Sequence, residues 1–231
     1  MRRILSVILC LSLLTLPVRA AEQPKYVALT FDDGPSGRFT RRLLDGLAER
    51  QVKATFLLCG YRIPQYPDEA RRIAAEGHEI GLHGYSHDDM SAMSRSRVEQ
   101  EILDTARLLP EGVRPTFLRP PGGQWGENLC HVARKQGLAV LNWSLDSKDW
   151  AIKDAEALVS RVVERVKDGD VILMHDLYDS SVDAALEIID ILTARGYQFV
   201  TVTELVRLRG VLLQAGEVYC NFPKEEKSAP E

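Results

Sequence analysis

The stretch KYVALTFDDGP, residues 25–35, runs from an apolar, β-rich segment directly into two carboxylates and a Gly-Pro turn. A short apolar run ended by turn residues reads as a buried strand. Residues 25–31 are therefore expected to form a strand that delivers Asp32 and Asp33 to its C-terminal end. Outward from it, Leu43, Leu44 and Leu47 fall at helical spacing and predict a helix over 38–51. Residues 54–58 read as a second strand, 69–76 as a helical end before Gly77, and 78–82 as a third strand. An amphipathic helix is expected over 94–109 with Ser94 as its cap, then a strand at 116–118 and a Pro/Gly turn. The second half repeats the alternation: helix 127–136, strand 138–143, helix 154–166 capped by Asp154, and strand 170–174. Helix 182–195 stops at Gly196, and strand 197–200 and helix 202–209 complete the series. About seven strand–helix units with no long polar linker imply an α/β fold, a parallel sheet with helices outside.

The two ends of the chain read differently. Arg2 and Arg3 precede an apolar run from Ile4 to Leu16, followed by Pro17, Val18, Arg19 and Ala20. That charged, apolar, small-residue order is the pattern of an export signal. The run falls short of the roughly 20 residues of a transmembrane helix. Residues 1–20 are therefore expected to be a cleaved signal peptide, 21–215 one domain and 216–231 a C-terminal tail, charged and Pro-containing from Pro223 onward. No stable membrane span is expected after cleavage. Loss of the signal removes three arginines and no acids, leaving 26 basic against 33 acidic side chains, a net charge of −7. That balance argues against a nucleic-acid partner and is neutral toward an uncharged glycan. Cys59, Cys130 and Cys220 then remain, an odd number whose spacing forms no cysteine metal cluster and selects no disulfide pair. The sequence assigns no oligomeric state.

The chemically capable residues fall just beyond strands: Asp32 and Asp33 after the first, His83 and His87 after the third, Arg119 after the fourth, Asp146 and Asp149 after the fifth, His175 after the sixth. In α/β folds the C-terminal strand edge is where loops converge to form a site. HGYSH, residues 83–87, holds two of the five histidines. A histidine pair plus one carboxylate suits Zn²⁺ and leaves coordination positions for water and substrate. RPPGG, residues 119–123, is a turn stiffened by two prolines and opened by two glycines. It can aim Arg119 at a carboxylate and expose a backbone N–H. DSKDW, residues 146–150, sets two acids beside Trp150, and VILMHD, residues 171–176, puts His175 directly beyond an apolar strand, where it can protonate an amine leaving group. Each segment taken alone also reads as an ordinary polar turn or strand end. Tryptophans 125, 143 and 150 read equally as sugar-stacking or core residues. His78 reads as structural, and His131 as lying on a helix outside the site.

In this order, the five segments resemble the polysaccharide deacetylases of the NodB-homology type, carbohydrate esterase family 4. The resemblance rests on TFDDGP, HxxxH, RPPxG, DxxDW and LxHD, with ATFL at 54–57 similar to the family's second strand, and it runs from Tyr26 to Leu205. It implies a distorted (β/α) barrel of about seven units, with 21–215 as the catalytic domain. It implies Asp33, His83 and His87 as ligands of a divalent metal, Zn²⁺ by default, with Co²⁺, Mn²⁺ or Ni²⁺ as alternatives. By the same resemblance Asp32 is the general base and His175 the general acid. Arg119 holds Asp32, Asp149 orients His175, and Asp146 supports their loops. Pro121, Gly122, Trp150 and Leu173 are expected to contact substrate, Leu173 lining an acetyl methyl pocket. Two positions depart from the family's usual pattern: Gly122, where Tyr is frequent, and Gly84, where Thr or Ser is frequent. These departures bear on substrate preference and on the rigidity of the His83 loop.

The function implied is hydrolysis of acetamide groups on an N-acetylglucosamine-containing polysaccharide, in a secreted or cell-envelope enzyme. Peptidoglycan is favoured over chitin by the signal, the size and the lack of an added chitin-binding module. Two alternatives stay open: an O-acetyl esterase acting on a glycan such as xylan, and a catalytically weak glycan-binding protein that keeps the fold.

Overall fold

The computed structural model describes residues 24–224. The expected signal peptide at 1–20 lies outside these described residues, as do residues 225–231 of the expected tail. The nine strands are β1 (Lys25–Asp32), β2 (Thr55–Leu58), β3 (Glu79–Leu82), β4 (Phe117–Leu118), β5 (Ala139–Leu141), β6 (Leu145–Asp146), β7 (Val171–His175), β8 (Tyr197–Phe199) and β9 (Val218–Tyr219). They form one sheet in the order β6-β7-β1-β2-β3-β4-β5-β9, with β8 beside the start of β1. Every pairing between these strands is parallel. The helices are α1 (Arg38–Glu49), α2 (Pro67–Ala75), α3 (Arg95–Ala106), α4 (Glu127–Lys135), α5 (Ala155–Val163), α6 (Asp179–Ala194) and α7 (Val202–Arg209). The parallel sheet with helices outside, expected from the alternation, makes a half-barrel, the distorted α/β barrel that the family resemblance implied. No helix among the described residues is long and apolar enough to cross a membrane.

β1 explains how one strand can serve both core and site. Side chains alternate across a strand. Val27, Leu29 and Phe31 enter a core shared with Leu43, Leu44 and Leu47 of α1 and with Ala184, Ala185 and Ile188 of α6. Ala28 belongs to a different cluster, with Phe117, Leu141 and Val171. Each fully buried Leu or Phe contributes roughly 1.5–3 kcal/mol over its exposed state. This apolar layer therefore holds β1 firmly, and its even-numbered residues, Thr30 and Asp32, are presented to the barrel interior.

Local chemistry sets the helix ends. Ser94 Oγ accepts from the Arg97 N–H at 3.3 Å, Asp154 Oδ1 from Ala157 N–H at 2.9 Å, and Thr201 Oγ1 from Glu204 N–H at 3.2 Å. Gly196, with φ of +82°, follows α6 in the left-handed conformation that ends a helix.

The structure corrects several boundaries. α6 begins at Asp179 rather than Val182, and the strand expected over 138–143 is confined to Ala139–Leu141. β6 and β9 were not anticipated. Residues 216–222, expected to belong to a tail, are built into the domain: Gly216 N–H donates to Leu138 O at 2.8 Å, β9 pairs with β5, and Phe222 is 2% exposed. Two-residue strands carry no periodic signal, so only their tertiary partners define them.

Candidate functional site

Strand register assembles the site. Asp32 at the end of β1 is the direct partner of His175 at the end of β7, and Asp146 of β6 is the partner of Leu173. His83 follows β3 and Arg119 follows β4. These ends surround a cleft of about 350 Å³.

One side of the cleft carries Asp33, His83 and His87, whose donor atoms all lie within 4.8 Å of one another. Asp33 Oδ1 is 3.2 Å from His83 Nε2 and 3.0 Å from His87 Nε2. His83 Nδ1 lies 2.8 Å from the Arg119 carbonyl, an acceptor only, so Nδ1 carries a proton and Nε2 faces the cluster. Asp33 Oδ1 is buried and makes no hydrogen bond within the described structure. Three lone-pair donors facing a common point, one an orphaned buried oxygen, fit a divalent cation. Burial opposes charge on Asp33, but the two imidazoles outweigh it and hold its carboxyl well below the usual carboxylate range. Asp33 raises His87 in turn, against burial. Asp33 and His87 have φ of +68° and +65°. Left-handed backbone at non-glycine residues costs of order 1–3 kcal/mol each, and it clusters where function requires it.

Beside this cluster, Asp32 is held from inside the barrel. Arg119 is fully buried and donates to Asp32 Oδ1 at 2.7 Å, Thr30 Oγ1 at 2.8 Å, Asn142 O at 2.9 Å and Leu141 O at 3.2 Å. The guanidinium fork thus uses four acceptors and fixes one carboxylate oxygen of Asp32. Asp32 Oδ2 stays on the cluster side, 3.8 Å from His83 Nε2.

Across the cleft, Asp149 is fully buried and accepts from both the backbone N–H and the Nδ1 of His175, each at 2.7 Å. His175 Nε2 therefore points toward the cluster, 4.0 Å from Asp33 Oδ2. Burial works against charge on His175, yet Asp149, then Asp32 and Asp33, outweigh it and pull the imidazole up to about 9. Asp32 and His175 thus flank the cluster from adjacent strands.

The rest of the wall comes from Gly122, Trp143, Asp146, Lys148, Trp150 and Leu173. Trp150 is exposed, and Lys148 Nζ sits 5.0 Å from its ring centre while pairing with Asp146 Oδ2 at 2.9 Å. Pro121 does not line the cleft; it is buried behind it, and Gly122, with φ of +66°, forms the exposed face of the turn. A proline has no N–H to offer, so any backbone donor from this turn lies at the glycines. The Trp143 ring occupies the space a side chain at Gly123 would need, within 2.6 Å of a Cβ there.

Most residues singled out in the sequence converge here; several supporting residues were not foreseen. Thr30 bridges Arg119 to the Ile172 carbonyl, to which it donates at 2.7 Å. Asp176 is fully buried beneath the Asp33 turn, bonded to Thr40, and burial pushes its carboxyl up to about 6. Glu101 of α3 holds the backbone between His83 and His87. Thr30 and Asp176 stand inside the TFDDGP and LxHD segments, whereas Glu101 lies outside every motif. Ser86 Oγ bonds to Asp88 at 2.7 Å and Glu101 at 3.1 Å, a loop-stabilising role and not that of a nucleophile paired with histidine. His78 is buried and accepts from the Ala54 N–H at 3.1 Å, outside the cleft. Cys59 is buried and its thiol pushed up by burial; Cys59, Cys130 and Cys220 are all unbridged.

The profile of the family described as polysaccharide deacetylase matches residues 19–141, more than half of the chain. The chain belongs to the polysaccharide deacetylase family. It is 38% identical over 200 residues to the peptidoglycan-N-acetylmuramic acid deacetylase PdaC of Bacillus subtilis, covering 85% of this chain and 42% of that protein. It is 37% identical over 191 residues to a peptidoglycan-N-acetylglucosamine deacetylase of Bacillus cereus, covering 80% of this chain and 90% of that one. Among solved structures, a family 4 acetyl xylan esterase from Clostridium thermocellum, in complex with a cobalt ion, superposes with a TM-score of 0.80 at 36% identity. That likeness covers 86% of this chain and all of the esterase chain. This chain thus spans less than half the length of the first relative but nearly all of the second.

Proposed function

We propose that this polysaccharide deacetylase hydrolyses acetamide groups on an N-acetylglucosamine-containing glycan, with peptidoglycan as the favoured substrate. The observation that carries the reading is that Asp32 and His175 lie on either side of the Asp33–His83–His87 cluster, one anchored by buried Arg119 and the other by buried Asp149. Asp33, His83 and His87 would hold a divalent cation, which would supply Lewis-acid polarisation of an acetyl carbonyl, with Zn²⁺ the default for this donor set and Co²⁺, Mn²⁺ or Ni²⁺ as alternatives.

Asp32, with Oδ1 fixed by Arg119, uses Oδ2 to take a proton from the attacking water. The new C–O bond forms at the acetyl carbon. The Gly122 N–H at the cleft wall donates to the developing oxyanion. His175, with Nδ1 fixed by Asp149, delivers the proton on Nε2 to the sugar nitrogen as the C–N bond breaks, releasing acetate and a free amine. Leu173 shapes the space for the acetyl methyl, and the exposed Trp150 ring offers a stacking face to a sugar. In this reading residues 1–20 direct export, the domain acts on the cell wall, and its glycan partner is acetylated polymer rather than nucleic acid.

Removal of O-acetyl groups is the second reading, favoured by the likeness to the acetyl xylan esterase. An alkoxide leaving group demands less of His175 than an amine does. The deciding experiment strips metal from the full protein, restores Zn²⁺ or Co²⁺, and compares acetate release from peptidoglycan, chitooligosaccharides and acetylated xylan. Metal-dependent release from the first two supports N-deacetylation; release from xylan alone transfers the function to ester hydrolysis. Release from none of them, in metal-replete protein that binds glycan, overturns both.

A further inference from the structure

We propose that Glu101 is a positioning residue for the metal centre: its buried carboxylate clamps the backbone between His83 and His87 and so fixes where their donor nitrogens sit. This inference rests on the reading of Asp33, His83 and His87 as the metal site. Glu101 is 1% exposed on α3. Its Oε2 accepts the Tyr85 N–H at 2.6 Å and the Ser86 N–H at 2.9 Å, and its Oε1 accepts the Ser86 hydroxyl at 3.1 Å. Arg97, one turn earlier on the helix, supplies the countercharge at 2.7 Å.

The other side of the loop is held as well. The Gly84 carbonyl accepts from Gly60 N–H at 2.9 Å and the Tyr85 carbonyl from Tyr61 N–H at 3.0 Å. The peptides linking the two histidines are therefore gripped from opposite directions, their donors by Glu101 and their acceptors by the 60–62 turn. The loop needs that grip. Gly84 and His87 have φ of +72° and +65°, Gly84 has no side chain with which to pin the loop, and the His87 side chain is 43% exposed. A Cβ at position 84 would come within 3.3 Å of Glu101 Oε2, so a side chain there would press the carboxylate back by a few tenths of an ångström.

An apolar residue at position 101 would pack α3 equally well but leave the Tyr85 and Ser86 N–H groups without acceptors. A buried carboxylate is retained at a desolvation cost that packing alone does not recover. Groups that orient metal ligands in this way typically change affinity by about 10–100-fold when removed.

The test is Glu101→Leu in the full chain. Leucine keeps a buried apolar side chain on α3 but offers no acceptor to the Tyr85 and Ser86 N–H groups, which both donate to Oε2 in the parent. Titration calorimetry with Co²⁺ on metal-stripped protein is expected to show binding weakened by about 10–100-fold. kcat for acetate release is expected to recover when metal is saturating, because Glu101 touches no reacting group. Unchanged Co²⁺ affinity in a folded variant overturns the proposal, and so does a kcat loss that persists at saturating metal. A parent protein that binds no Co²⁺ overturns the metal reading instead. Hydrogen exchange on the metal-free parent needs no variant: the Tyr85 and Ser86 amides are expected to be protected, and free exchange at both would also sink the clamp.

Discussion

Replacing Asp149 with asparagine changes one buried atom in the support of His175 and should rewrite the pH dependence of the reaction. In the parent, the Asp149 carboxylate accepts from His175 Nδ1 and from the His175 backbone N–H, both at 2.7 Å. The asparagine carbonyl can accept from only one side, and its NH₂ then opposes the other donor. The backbone bond is common to both protonation states of the ring, so it does not set the imidazole's affinity for its proton. The Nδ1 bond and the carboxylate charge do. A charge-assisted hydrogen bond of this kind is worth about 1.5–3 kcal/mol. That converts to about 1–2 pH units in the His175 titration. The parent imidazole stands at about 9 because of Asp149 first, and of Asp32 and Asp33 after it. A bound cation offsets the latter two, so the parent's alkaline limb lies below that value, but the difference between parent and variant is set by Asp149. A raised value means that imidazolium is present below the limb and lost above it. The variant should therefore match the parent on the acid side and fall about 10–100-fold behind at alkaline pH. Initial rates of acetate release at saturating metal, from about pH 6 to about pH 10, measure this. A loss of the same size at every pH, or a limb that does not move, refutes the assignment of His175 as the acid and Asp149 as its support.

Asp32→Asn should keep metal stoichiometry, measured by atomic absorption, while kcat drops by roughly a hundred- to ten-thousand-fold; full turnover would mean another base. His87→Ala removes one of three donors from a side chain that is 43% exposed, so Co²⁺ affinity should fall by more than about tenfold while the metal-free Tm stays unchanged. His78 tests stability rather than chemistry. Burial lowers its imidazole to about 4 from 6.5, so the unfolded chain binds the extra proton first and stability drains away as pH falls from 6.5 toward 4. By pH 5 this contribution reaches about 2 kcal/mol. His78→Asn, which can still accept from the Ala54 N–H, should gain on the parent by that amount between pH 7 and pH 5 in urea titrations. Asp176 acts in the opposite sense: its carboxyl, raised by burial to about 6, withdraws stability as pH rises from 3.8 through 6. The parent alone should consequently show a shallow acid limb, and only the variant comparison isolates His78.

The expected site residues were legible because their patterns are short and lie where strands stop. TFDDGP and VILMHD each join an apolar run to a polar end, so Asp32 and His175 could be placed at a sheet edge before their pairing was known. Their supports were legible only through the family resemblance. The Arg119–Asp32 contact spans 87 positions and the His175–Asp149 contact 26, and no local period encodes either. Glu101 was missed because, on an amphipathic helix, a single glutamate reads as solvated; its burial appears only when the 83–87 loop folds over α3. The same contact joins the loop that contains Gly84 to α3. Turn composition does not reveal which face of the 119–123 turn is buried: Pro121 is buried and Gly122 stands at the cleft wall.

By itself, the sequence determined the alternation of strand and helix, the caps at Ser94 and Asp154, and the chemical residue types gathered at strand ends. These follow from side-chain periodicity and backbone preference within one or two turns of chain. Tertiary structure alone decided that Asp33 and His87 take left-handed backbone, that residues 216–222 close onto β5, and that one guanidinium sits fully buried among four acceptors. Such features depend on register between distant strands and on exclusion of water. Neither exists until the sheet has curved and the loops have met over it.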